Sequence, residues 1–102
     1  MYLAKVIGSV VSSNKDEAMR GRKLMLVRPM LVDSSNPTKF KEGGNTIIAI
    51  DTVGAGEGEM VMFCQGSSAR QAVGMKQLPV DAVITGIVDT VDVHGKKIYS
   101  SE

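Results

Sequence analysis

The chain has very few of the side chains that carry chemistry. In 102 residues there is one cysteine, Cys64, and one histidine, His94, thirty positions apart. Structural zinc takes four Cys or His ligands at close spacing, so the ligand count excludes a metal site. A lone thiol cannot close an intramolecular disulfide, which fits a reducing compartment. Tryptophan is absent, and Tyr2, Phe40, Phe63 and Tyr99 are the whole aromatic set. Single-strand binders stack bases on aromatic platforms, and four scattered rings make a poor one. Twelve Lys and Arg against eleven Asp and Glu leave a net charge of +1. The basic excess that marks binding to nucleic acid or an anionic membrane is therefore missing. No apolar run approaches the ~18–20 residues that span a bilayer. Met1 to Val11 also lacks the basic start and long apolar core of a signal peptide. The expectation is a soluble intracellular protein, one domain over residues 1–102, without cofactor.

The residues that are present alternate as strands do. Tyr2 to Ser12 reads as a strand with Tyr2, Ala4, Val6, Gly8 and Val10 on one face, and Gly8 marks a bulge or sharp bend. Ser13 to Arg22 is a polar loop. Lys23 to Val32 is a second strand, and Pro29, which has no N–H, should place it at an edge or end its ladder near Arg28. Asp33 to Thr46 is dense in turn formers and reads as irregular. Thr46 to Val53 and Glu59 to Cys64 are short strands flanking a glycine loop. Ser67 or Ser68 can N-cap a helix of one or two turns through Ala69-Arg70-Gln71-Ala72. Asp81 to Val93 is apolar on both parities, as a strand buried on two faces would be. His94-Gly95 is a hairpin turn into Lys97–Ser100. Five or six short strands and one small helix make an all-β domain, most simply a small barrel.

The glycine loop, Gly54-Ala55-Gly56-Glu57-Gly58, has the look of a phosphate cradle. A cradle needs a helix behind it, but Glu59 to Cys64 is a β run and no Gly-Lys-Ser/Thr follows. The glycines serve a tight strand connection instead. Gly66-Ser67-Ser68-Ala69-Arg70 is not G-x-S-x-G, because Arg70 stands where the second glycine belongs. A serine nucleophile would also need a base held by a third group, and His94 is the sole applicant. The carboxylate pairs Asp16-Glu17, Glu57/Glu59 and Asp89/Asp92 lie in no evident cleft. Catalytic residues are not expected, and an enzyme is the weakest reading.

Asp51-Thr52-Val53-Gly54-Ala55-Gly56, followed by Gly66-Ser67-Ser68-Ala69-Arg70-Gln71, resembles the pentameric vertex proteins of bacterial microcompartment shells, the EutN/CcmL family. The opening Met1–Val11 and the stretch from Val80 through Val91 are similar to the same family, so the likeness covers nearly the whole chain. The resemblance implies an OB-like barrel and a homopentamer that closes five-fold corners of a carboxysome or metabolosome shell. It further implies a place in the cytoplasm beside hexameric and trimeric shell proteins. It puts Asp51, Gly54, Ala55, Gly56, Gly66, Ser67, Ser68, Ala69, Arg70 and Gln71 at the subunit interface or the five-fold axis. The alternative is an OB-like module for single-stranded nucleic acid or a small ligand, weakened by the few aromatics and the balanced charge. Arg70, whose planar fork suits a partly buried carboxylate contact, should tie one subunit to the next, with Asp51 or another carboxylate as partner. Arg70→Ala should then weaken assembly, and an unchanged five-chain mass after that substitution would remove the role.

Overall fold

The computed structural model describes residues 1–13, 21–66 and 81–102, and every structural statement below concerns these. They form eight strands: β1 (Tyr2–Val10), β2 (Lys23–Val32), β3 (Phe40–Glu42), β4 (Ile47–Asp51), β5 (Met60–Gln65), β6 (Ala82–Ile87), β7 (Thr90–Val93) and β8 (Lys96–Ser100). The order β1-β5-β6-β4-β2 closes on itself because β1 also pairs with β2, giving a five-stranded barrel. The pairs are antiparallel except β4–β6, which is parallel. The described residues contain no helix. The short helix expected through Ala69–Ala72 falls outside them.

Closure needs strands that bend, and two register shifts supply the bends. β1 faces β2 in the register Val6↔Val27 and then Gly8↔Leu26, so Ile7 is the extra residue of a bulge. This is the break that Gly8 suggested in the sequence. β5 faces β6 with Met62↔Gly86 and then Phe63↔Ile84, leaving Thr85 as the extra residue.

Pro29 corrects one half of the sequence reading of β2. The strand is not at an edge; its ladders do end near Arg28, with β4 at Val27 and with β1 at Ala4↔Pro29, while the strand itself continues to Val32. On the other side, β4 covers Lys23 to Val27 and β3 covers Met30 to Val32. Pro29 therefore sits where one partner has ended and the other has not begun. Gly43 N–H donates to Pro29 O at 2.7 Å. A strand residue aims its N–H and C=O to the same side, so the missing donor faces this gap. A Cβ on Gly43 would stand 3.1 Å from Pro29 Cβ, which makes glycine the residue that fits there.

Two further expectations change. The irregular Asp33–Thr46 stretch contains β3, reached through two successive side-chain turns. Ser35 donates its backbone N–H and its hydroxyl to Asp33 Oδ1, at 2.9 and 2.7 Å. Thr38 does the same to Asn36 Oδ1, at 3.3 and 2.6 Å. The Ser35 hydroxyl first, and then its N–H, hold the exposed Asp33 carboxyl below its ordinary pKa. The long apolar run Asp81–Val93 is two strands: β6 belongs to the barrel, and β7 leaves it to pair with β8 alone. Their turn is His94-Gly95, with φ of 51° and 76°. Positive φ at both central residues is the type I′ pattern that matches hairpin twist.

Alternation fills the barrel. Ala4, Val6, Met25, Val27, Ala49, Val61, Phe63 and Ile84 point inward and are buried. Val83 and Ile50 are buried on the opposite side of their strands, so β6 is covered on both faces at its start. Phe63 is the largest fully buried side chain and lies 5.5 Å, ring to ring, from Tyr2. No described buried side-chain polar atom lacks a partner. Phe63→Ala should cost about 3–5 kcal/mol through lost transfer energy and a residual cavity, read as a lower urea midpoint with an unchanged slope.

Candidate assembly surfaces

The centre of the glycine loop is Asp51, the last residue of β4. Its carboxylate accepts three backbone N–H bonds: Val53 at 2.9 Å and Gly54 at 3.1 Å on Oδ1, and Ala55 at 2.8 Å on Oδ2. The side chain is 1% exposed, while Lys23 Nζ, 3.8 Å from Oδ2, is 55% exposed. Lys23 also donates to Ala55 O at 3.3 Å. Thr52 Oγ1 donates to Ile84 O at 2.8 Å, fastening the start of the loop to β6. On the far side Glu59 Oε1 accepts Gly56 N–H at 2.6 Å. Gly58 N–H donates to Val6 O, and Val6 N–H to Glu59 O, which returns the chain to β1. Gly54 and Gly58 take φ of 77° and 90°, the left-handed region that glycine enters without strain.

Backbone N–H groups turned toward one point make an anion nest. Here the protein's own carboxylates occupy it, so the loop does not present free donors to a phosphate. The sequence reading of a tight strand connection holds. The reading missed the device that makes it tight, which is an aspartate accepting from N–H groups two to four residues ahead, an Asx-type arrangement. The signal was available in the spacing Asp51-x-x-Gly54. The parts played by Lys23, Thr52 and Glu59 depend on tertiary contact and left no local trace.

The expected site residues divide. Asp51, Gly54, Ala55 and Gly56 lie together at one end of the barrel. Gly66, with φ of 69° and its N–H on Asp81 O at 2.7 Å, lies beyond the opposite end of β5. Six residues of strand at about 3.3 Å each separate them by roughly 20 Å. Ser67, Ser68, Ala69, Arg70 and Gln71 are outside the described residues. Asp51 is buried and bonded within its own chain, and its suggested partner Arg70 lies outside the described residues.

At the same end as Gly66 is an open hollow of about 710 Å³ between Tyr2, Pro29, Leu31, Gly44, Ile47 and Phe63. Phe63 is buried beneath it, so only Tyr2 offers a ring face. No group of three His, Cys, Asp or Glu suited to a metal occurs among the described residues. The hollow has neither the charge nor the stacking platform that nucleic acid would need.

A closed five-stranded barrel whose polar loop is satisfied from within, and whose exposed residues include Met1, Tyr2, Ile7, Leu31, Ile48 and Met62, has the makings of an assembly subunit. Residues 1–89 match the family described as ethanolamine utilisation protein EutN/carboxysome, and the chain belongs to this EutN/CcmL family. It is 47% identical over 92 residues to the bacterial microcompartment shell vertex protein GrpN of Rhodospirillum rubrum, covering 90% of this chain and 97% of that one. It is 41% identical over 102 residues to the carboxysome shell vertex protein CcmL of Gloeobacter violaceus, covering 100% of this chain and 96% of that one. The solved structure of Gloeobacter violaceus CcmL superposes with a TM-score of 0.85 at 42% identity, over 99% of this chain and 98% of that chain. The GrpN structure, described as a pentameric microcompartment shell protein, superposes with a TM-score of 0.74 at 44% identity, over 91% of this chain and all of its own.

Ala55 is fully buried, and its amide donates to Asp51 Oδ2. Asp51→Ala should cost about 1–3 kcal/mol, the penalty of an unsatisfied buried donor. Lys23→Met should cost less, because the ammonium is half-exposed at 3.8 Å and the Asp51 carboxylate keeps its three backbone N–H bonds. Urea unfolding of the two variants tests the ranking, and equal effects would contradict it.

Proposed function

We propose that this chain is a structural shell protein, a homopentamer that caps the five-fold vertices of a bacterial microcompartment. The carrying observation is the likeness to GrpN, which spans the whole of that pentameric shell protein. The full-length likeness to CcmL, a carboxysome shell vertex protein, points the same way. The work of such a protein is geometric. A flat sheet of six-fold tiles cannot close, and a five-fold unit at each corner supplies the curvature. A cyclic ring of five closes through heterologous contacts, one patch of each subunit meeting a different patch of the next.

The shell stands in the cytoplasm, and the partners of the ring at a vertex are hexameric and trimeric shell proteins. The whole of residues 1–102 acts as one vertex-type unit. The chain has no catalytic role in this reading: the carboxylates of the loop are spent on backbone N–H groups, and His94 caps a hairpin distant in sequence from either serine of the Ser67-Ser68 pair. Nucleic acid is not a partner, for want of charge and stacking surface. Gly54 to Gly56 and Gly66 to Gln71 line the two ends of the subunit seam or of the axial opening. Arg70 pairs there with a carboxylate other than Asp51.

Native mass spectrometry at two salt concentrations tests this reading. Five copies of 10.9 kDa give about 54.5 kDa, and a species of that mass that survives high salt is expected. A stable monomer would remove the ring and the vertex role with it.

A further inference from the structure

We propose that the outer end of β2, with β3 beside it, is an arm that swings on Pro29 and closes the hollow at the mouth of the barrel, and that the Arg28–Glu42 ion pair latches it open. The inference concerns a single subunit and does not rest on the pentamer.

β1 and β2 part at one point. Their register ends at Ala4↔Pro29. Beyond it Tyr2 and Leu3 stay paired to Phe63 and Met62 of β5, while Met30 to Val32 are paired to β3. The hollow is the wedge between the diverging strands, with Tyr2 on one wall and Leu31 on the other. Tyr2 is 54% exposed and Leu31 48%. Two further steps of the same register would set Leu3 opposite Met30 and Tyr2 opposite Leu31. Tyr2 shares a side with Ala4 and Val6, and Leu31 shares one with Val27, so the two would meet on the inward face beside Phe63. Their contact would bury apolar surface that the open wedge leaves in water.

The arm is stiff and its joint is not. Within the arm, Asp33 N–H donates to Lys39 O and Lys39 N–H to Asn36 O, both at 3.0 Å, beside the side-chain turns of Asp33 and Asn36. At the joint, Arg28 and Pro29 are covered by neither β4 nor β3. The returning chain passes through Gly43 and Gly44 and joins no strand until Ile47. A Cβ on Gly44 would meet nothing within 4 Å, so the return leg has room to follow the swing. Hinges are built from a few residues of this kind at the ends of elements.

The latch lies across the joint. Arg28 belongs to the barrel, opposite Lys5 on β1, and Glu42 belongs to the arm, opposite Met30. Arg28 NH1 and Glu42 Oε2 stand 3.5 Å apart. β3 lies on the side of β2 away from β1, so a swing of the arm toward β1 carries Glu42 away from Arg28. The ion pair therefore opposes closure. Both groups reach solvent, so salt weakens the latch.

A disulfide trap tests the arm. In a Cys64→Ser background, Tyr2→Cys and Leu31→Cys are combined in the full chain, oxidised mildly and weighed under denaturing conditions. Directly facing antiparallel residues lie about 4.5–5.5 Å apart at Cα, within disulfide range. A bond within one chain is expected. It should form about two- to fivefold faster when Glu42→Gln is added, the factor an exposed ion pair commands. No bond, while both thiols still react with a small maleimide, would overturn the proposal, because the wedge would be fixed. A bond joining two chains in its place would do the same. So would a rate indifferent to Glu42→Gln, since the ion pair would then latch nothing. Amide exchange gives a second reading on the unaltered chain. Pro29 O points toward Gly43, so the next residue, Met30, turns its N–H toward β1. Exchange at Met30 should slow as salt rises and the closed arm pairs it with Leu3, and a rate that stays the same or increases would overturn the swing.

Discussion

The structure depends on β1 being paired along both edges. An open sheet of these strands would leave two rows of unpaired N–H and C=O groups, an invitation to uncontrolled pairing. Joining β1 to β5 at its start and to β2 along most of its length removes both edges. So small a barrel closes only if its strands turn sharply, and the extra residues Ile7 and Thr85 provide the turn. The same two bulges have a second effect. Each pushes an additional side chain outward, and so the devices that close the core also decorate the exterior.

The loop after β4 answers a related difficulty. It must lead from β4 to β5, strands that do not neighbour each other in the barrel, across one end of the core. Eight residues, 52 to 59, lie between the two strands and would leave donors over buried Ala55. The Asp51 carboxylate gathers them from beneath and the Glu59 carboxylate from the far side. A loop fastened in this way by its own charges keeps a definite shape with little contact from neighbouring side chains. It can therefore present a rigid rim while remaining largely exposed.

Local chemistry in the sequence was legible where a residue's behaviour is set by its own backbone. The strands β1, β2, β4 and β5, the Gly8 bend and the His94-Gly95 turn all follow from alternation and from the needs of positive φ. The errors arise where a partner decides. Pro29 suggested an edge strand because its lost donor would break a ladder, and the gap between β3 and β4 leaves that side with no ladder to break. Phe40–Glu42 is too short to show alternation and becomes a strand only because Met30–Val32 extends beyond β4. The run through Val88 reads as one strand because both halves are apolar, although one half packs in the barrel and the other in a hairpin. Among the site residues, the Asp51 and Gly54–Gly56 cluster was visible as a unit, but its internal wiring was not. Alternation reports which residues share a side, not whether that side is covered, so the exposure of Ile48 and Met62 could not be read from it.

The C-terminal hairpin has a consequence of another kind. Its strands pair only with each other, and the family match ends at residue 89, one position before β7 begins. Val88 N–H on Met60 O and Ser101 N–H on Asp89 O anchor its base. Mutational drift in this segment is thus insulated from the packing of the barrel, and the His94-Gly95 tip is a natural place for lineages, or protein engineers, to graft new sequence. A particle built on such rings would display the graft at every corner, in five-fold clusters.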